Sequence, residues 1–99
     1  MKLKAFVKKG ALWFSDEKDE ISLENLSRDL EPPINEDKKR RIQVLVTKVK
    51  LKHTSIPYSF RPIWFNDGEM EELEKILGEE IVKELNKIEI RNVLLVQAA

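Results

Sequence analysis

No cysteine occurs among the 99 residues. Disulfides and thiolate metal sites are therefore excluded, and a small chain without bridges points to an intracellular setting. The one histidine, His53, rules out two-histidine metal motifs and any histidine pair for acid/base work. Three glycines, Gly10, Gly68 and Gly78, lie too far apart to cradle a phosphate. The five serines, Ser15, Ser22, Ser27, Ser55 and Ser59, stand in no nucleophile-elbow context. Neither the lysine-spaced start nor any later stretch has the apolar run of a signal peptide or a membrane span. Adjacent carboxylates such as Glu71-Glu72 and Glu79-Glu80 remain, but on an acidic helix face they read as solvated. These absences predict a soluble, non-secreted, non-enzymatic protein with no cofactor, metal or catalytic residue to name.

The chain does hold enough apolar matter to fold. Hydrophobic residues make up 41%, with two Trp, four Phe and one Tyr to offset the entropy of ordering. A single domain spanning residues 1–99 should bury about 65% of the surface its unfolded chain exposes. Charged residues reach 36%, rich in Glu and Lys, a composition associated with thermostable proteins.

That charge is sorted into blocks, although the net is zero. The first 15 residues carry Lys2, Lys4, Lys8 and Lys9 and no acid. Residues 16–37 hold nine acids against Lys18 and Arg28, residues 38–61 hold eight bases and no acid, and residues 67–89 hold nine acids against Lys75, Lys83 and Lys87. Acidic helices laid across basic strands would account for the blocks without a partner.

Leu3, Ala5 and Val7 alternate with lysines and predict a strand. Lys9-Gly10 turns the chain into a returning strand at Ala11 to Phe14, and Ser15 to Glu20 reads as a loop. Ser22 caps a short helix carrying Leu23, Leu26 and Leu30 on one face, which Glu31-Pro32-Pro33 ends. After a polar link, Ile42, Val44 and Val46 predict a long strand over Arg40 to His53, with a bulge near Thr47-Lys48 that switches the core-facing parity to Val49, Leu51 and His53. Asn66 or Asp67 caps a helix whose inner face is Met70, Leu73, Ile76, Leu77, Ile81 and Leu85, with Gly78 as a kink or break. The apolar run Ile88 to Val96 reads as a final strand inside the sheet. The expected fold is α+β: a mainly antiparallel sheet of four to five strands with two helices packed on it.

Two surfaces are candidates for binding. Lys38, Lys39, Arg40, Arg41, Lys48, Lys50 and Lys52 would form a basic ribbon along a strand, able to neutralise phosphates of a nucleic acid or to guard a sheet edge. Residues 56–65 concentrate Ile56, Pro57, Tyr58, Phe60, Arg61, Pro62, Ile63, Trp64 and Phe65 in a loop, the residue types that dominate interface hot spots, or else a lid over the core. Beside it Glu71, Glu72, Glu74, Glu79 and Glu80 form an acidic helix face suited to occupying a basic groove on a partner.

The lysine-rich hairpin ending in Trp13-Phe14, the strand around KKRRIQVLV, the IPYSFRPIW loop and the helix MEELEKILGEEIVKEL together resemble small uncharacterised proteins of lipothrixviruses and rudiviruses, which infect hot-spring archaea. The resemblance implies a hyperthermophilic setting in host cytoplasm, or alternatively in the virion, and carries over no active-site residue. On this reading the chain is a viral accessory protein, a homo-oligomer that binds a host or viral protein and inhibits a host factor. The alternatives are a nucleic-acid-binding or packaging protein and a structural part of the particle.

Overall fold

In the computed structural model, which describes residues 1–53 and 61–98, two strands open the chain. β1 (Lys4–Lys8) and β2 (Ala11–Ser15) pair antiparallel with Lys8 opposite Ala11. Lys9 and Gly10 both adopt positive φ, 53° and 75°, the backbone that lets a two-residue turn follow the strand twist. At the far end Asp16 Oδ1 accepts from the amides of Lys18 and Asp19 at 3.1 and 2.9 Å, and this turn delivers β3 (Glu20–Ser22) beside β2. β4 (Ile63–Trp64) adds to the other side of β1, giving a four-stranded antiparallel sheet of order β3-β2-β1-β4.

Helices supply the rest. Ser22 Oγ accepts from Asn25 N to cap α1 (Leu23–Leu26), which runs into a single 3-10 turn at Ser27–Asp29. Asn35 Oδ1 accepts from Lys38 N at 2.8 Å and starts α2 (Glu36–Lys52). Glu36 and Asp37 in its first turn and Lys50 and Lys52 in its last complement the helix dipole. Asn66 and Glu69 form a reciprocal capping box at the start of α3 (Asp67–Leu77), Gly78 separates it from α4 (Glu79–Lys87), and α5 (Ile90–Ala98) closes the chain.

Three expectations need correction. Among the described residues the helices number five, not two. The long strand over Arg40 to His53 is helix α2, because Ile42, Leu45, Val46 and Val49 are the buried positions, at a spacing of three and four, whereas Val44 is 67% exposed. The β-branched content that favours a strand is overridden by this burial pattern, and no bulge is needed. The final strand is helix α5, with Ile90 buried and Val93 and Leu94 packed on the core one turn on. The sheet instead takes its third and fourth strands from two short segments, Glu20–Ser22 and Ile63–Trp64. The break at Gly78 is a full one, since its φ of 90° and ψ of 159° lie outside helical space.

One face of the sheet meets the helices. Ala5, Val7, Leu12, Phe14 and Ile21 pack with Ile42, Val46, Val49, Leu73, Leu77 and Leu85 in one contiguous cluster. A fully buried leucine such as Leu85 contributes roughly 1.5–3 kcal/mol relative to an exposed one. The pleat sends Phe6, Trp13 and Trp64, paired across β2, β1 and β4, to the opposite face.

The charge blocks now have an internal explanation. α2 and α3 run antiparallel, with Lys38 Nζ donating to the Leu77 carbonyl at 2.8 Å, Lys48 bonded to Glu72 at 3.1 Å and Lys52 to Glu69 at 3.5 Å. Basic helix lies on acidic helix, with a basic segment that is helical where a strand was expected.

Candidate functional site

Trp64 stands on an edge strand and is 46% exposed, an unusual place for so large an apolar residue. Its position follows from β1. Phe6 is fully buried on the outer face because the two indoles cover it: the Phe6 and Trp64 ring centroids lie 4.7 Å apart at 43°, and Phe6 and Trp13 stack at 6.3 Å and 24°. Lys8 then crosses Trp13, its Nζ 4.9 Å from the ring centroid and 3.5 Å from Glu20 Oε2. Trp13 is thereby occupied by a cation of its own chain, and Trp64 has no such cover among the described residues.

Trp64 walls two clefts. The larger, about 590 Å³, runs between the start of β1 and α3, with Phe65, Met70, Asp67, Glu71 and Glu74 along it. The three acids fall at positions four and three apart, so one helix face presents them together. The smaller, about 390 Å³, lies on the outer sheet face between Trp64, Ser15, Glu17 and Glu20. Lys4 borders both. Glu74 is engaged by the terminal ammonium of Met1 at 3.2 Å and Glu20 by Lys8, which leaves Asp67, Glu71 and Glu17 without an ion pair among the described residues.

The residues expected from sequence divide as follows. Trp64, Phe65, Glu71 and Glu74 converge on the larger cleft. Glu72 does not, because it turns to Lys48 on α2, and Glu79 and Glu80 begin a separate helix beyond Gly78. The continuous acidic face expected from the helix is thus three separate groups. Arg61 is exposed, while Ile56, Pro57, Tyr58 and Phe60 lie outside the described residues. Asp67 was read from sequence only as a possible helix cap and Met70 only as part of the helix's inner face, and Phe6 was given no part in binding. The spacing of Asp67, Glu71 and Glu74 was readable as a helix face, whereas the packing of Phe6 under Trp64 depends on strand pairing.

The basic set is rearranged as well. On α2 the seven residues distribute around the helix rather than along a ribbon. Lys38, Lys39, Lys48 and Lys52 are held by the Leu77 carbonyl, Glu36, Glu72 and Glu69, so Arg40, Arg41 and Lys50 remain without an ion pair among the described residues. Phosphate neutralisation by the whole set would have to break these contacts. His53, at the end of α2, is half-buried and donates its backbone amide to the Lys50 carbonyl. Among the described residues no group of three or more metal-ligating side chains is present, and no helix is long and apolar enough to cross a membrane. No protein family, curated protein or solved structure matches the chain.

Proposed function

We propose that this chain is a non-enzymatic protein-binding module that takes an arginine or lysine side chain of a partner protein against Trp64, in the cleft lined by Asp67 and Glu71. The exposed indole beside unpaired carboxylates is the observation that carries the reading. An aromatic face attracts a cation through its quadrupole, and a carboxylate within reach adds a charge-assisted hydrogen bond to the same group. Phe6 holds the indole from behind, so little side-chain freedom is lost on binding. Each such contact is worth about 0.5–1 kcal/mol at an exposed site, so a single basic side chain binds weakly and a useful affinity requires further contacts along the cleft.

The test uses a fluorescent Gly/Ser peptide carrying several arginines and a glutamate-bearing counterpart. The arginine peptide is expected to bind, more weakly as salt rises, and to lose about two- to fivefold in affinity in the Trp64→Ala variant. Asp67→Asn with Glu71→Gln should weaken it while leaving the circular dichroism spectrum unchanged. Equal binding of both peptides, or an affinity indifferent to Trp64→Ala, refutes the proposal.

A further inference from the structure

α2 is apolar on two opposite sides. Its inner side carries Ile42, Leu45, Val46 and Val49 into the core. Its outer side carries Arg40, Val44, Thr47 and Leu51, spaced by four, three and four residues, and there Val44 is 67% and Leu51 65% exposed. That spacing is the seam of a helix–helix contact. Thr47 conforms to it: its Oγ1 donates to the Gln43 carbonyl at 3.0 Å, which satisfies the hydroxyl within the helix and leaves the methyl for packing. From Arg40 to Leu51 the seam is about 17 Å long, three turns.

Charge decides the occupant. Between Lys38 and Lys52 there is no acid, and the positions flanking the seam are Arg41 and Lys48 on one side and Gln43 and Lys50 on the other. A second copy docked through the same seam would set cation against cation whichever way it ran. Nor does another face of this chain fit. The large apolar side chains exposed among the described residues are Val44, Leu51, Trp64, Leu95 and Val96. Leu95 and Val96 sit on α5, whose only charged residue is Arg91, and Trp64 is a single side chain on a strand. A phosphate backbone offers nothing to bury Val44 and Leu51. A helix with aliphatic residues along its centre and acids on both flanks answers every feature.

We infer that the outer face of α2 is a docking site for an acidic amphipathic helix of a partner protein, with Val44 and Leu51 as its anchors and Arg40, Arg41 and Lys50 as its charge readers. Lys48 is already bonded to Glu72 and is not counted among them. The site is separate from the Trp64 cleft and opposite to it in charge preference.

A labelled three-heptad peptide with leucine or isoleucine along the seam and glutamate at the flanking positions is the probe, with a lysine-flanked twin as control. In fluorescence anisotropy at low salt the glutamate peptide is expected to bind at least about tenfold more tightly than the twin. Val44→Ser with Leu51→Ser should cost at least about tenfold, since two anchors are lost. Arg40→Glu with Arg41→Glu should reverse the preference between the peptides. Trp64→Ala should change none of this, which separates failure here from failure at the cleft. Equal binding of the twins, or none by the wild-type protein, overturns the inference. So does a dimer in light scattering that Val44→Ser with Leu51→Ser abolishes, which would assign the face to a second copy. Retention on duplex DNA that depends on Arg40 and Arg41 and ignores Val44 and Leu51 would assign it to nucleic acid.

Discussion

Glu69 uses its two carboxylate oxygens for different tasks, and substitutions can separate them. Oε1 accepts from the Asn66 amide at 2.9 Å, while Asn66 Oδ1 accepts from the Glu69 amide at 2.8 Å. Oε2 lies 3.5 Å from Lys52 Nζ and has no hydrogen-bond partner among the described residues, in a side chain only about 6% exposed. Glu69→Gln keeps an oxygen for the cap and removes the charge. Glu69→Ala removes both and leaves a partly buried amide unsatisfied, at a cost of roughly 2–3 kcal/mol from the lost cap and hydrogen bond together. The Lys52 side chain is about half exposed, so water screens the pair and its share is about 0.2–1 kcal/mol. Glu69→Gln is therefore expected to cost under about 1 kcal/mol. Urea titrations read the difference as shifts in midpoint at constant slope. Lys52→Met, made in both the wild-type and Glu69→Gln backgrounds, should show a coupling of no more than about 1 kcal/mol. If Glu69→Gln proves as costly as Glu69→Ala, or if Lys52→Met alone costs about 3 kcal/mol or more, the charge pair and not the cap is what stabilises this corner.

Further outcomes follow from the same geometry. Val46→Ala is expected to cost about 1–3 kcal/mol and Val44→Ala close to nothing, because the helix puts these residues on opposite sides, and thermal unfolding separates them. Gly78→Ala should destabilise by about 1–3 kcal/mol through backbone strain, since its φ of 90° disfavours a side chain while the added Cβ meets only Lys38 Nζ at an ordinary 3.5 Å. Gly68→Ala, inside α3 and without positive φ, should instead stabilise by up to about 1 kcal/mol. Asp16 has its pKa held below the ordinary 3.8, chiefly by the amide of Asp19, against the opposing effect of burial. A depressed carboxylate contributes stability that is fully present above its unfolded value and is lost as pH falls through the folded one. The wild-type protein should therefore lose more stability than Asp16→Asn as pH falls through and below 3.8, measured by urea midpoints along a pH series.

The hairpin was legible because its information is local: Leu3, Ala5 and Val7 alternate, and Lys9-Gly10 supplies positive φ where the turn needs it. The cap at Ser22 was legible for the same reason, since an N-cap acts within three residues, and the next was narrowed to Asn66 or Asp67, of which the structure uses Asn66. The α2 segment misled through Ile42, Val44 and Val46, which alternate as a strand would, while Ile42 and Val46 in fact join Leu45 and Val49 in a helical stripe that leaves Val44 out. Asn35 after two prolines, followed by Glu36 and Asp37, was the local signal that should have decided for helix. β3 and β4, three and two residues long, carry too few side chains to show a period, and exist because β2 and β1 offer them unpaired edges.

Of the candidate site, the sequence alone marked out Trp64, Phe65, Glu71 and Glu74 by composition, but it could not separate Glu71 from Glu72. One residue along a helix is a rotation of about 100°, enough to turn one glutamate to the cleft and the next to Lys48. Local chemistry determined the hairpin turn, the caps, the helical character of α1, α3 and α4 and the sorting of charge into blocks, but not that α2 and α5 are helices. Tertiary structure decided which blocks cancel and which faces stay open, because the pairing of α2 with α3 and of β1 with β4 joins residues far apart in the chain, and only that packing leaves Trp64 and the outer side of α2 uncovered among the described residues.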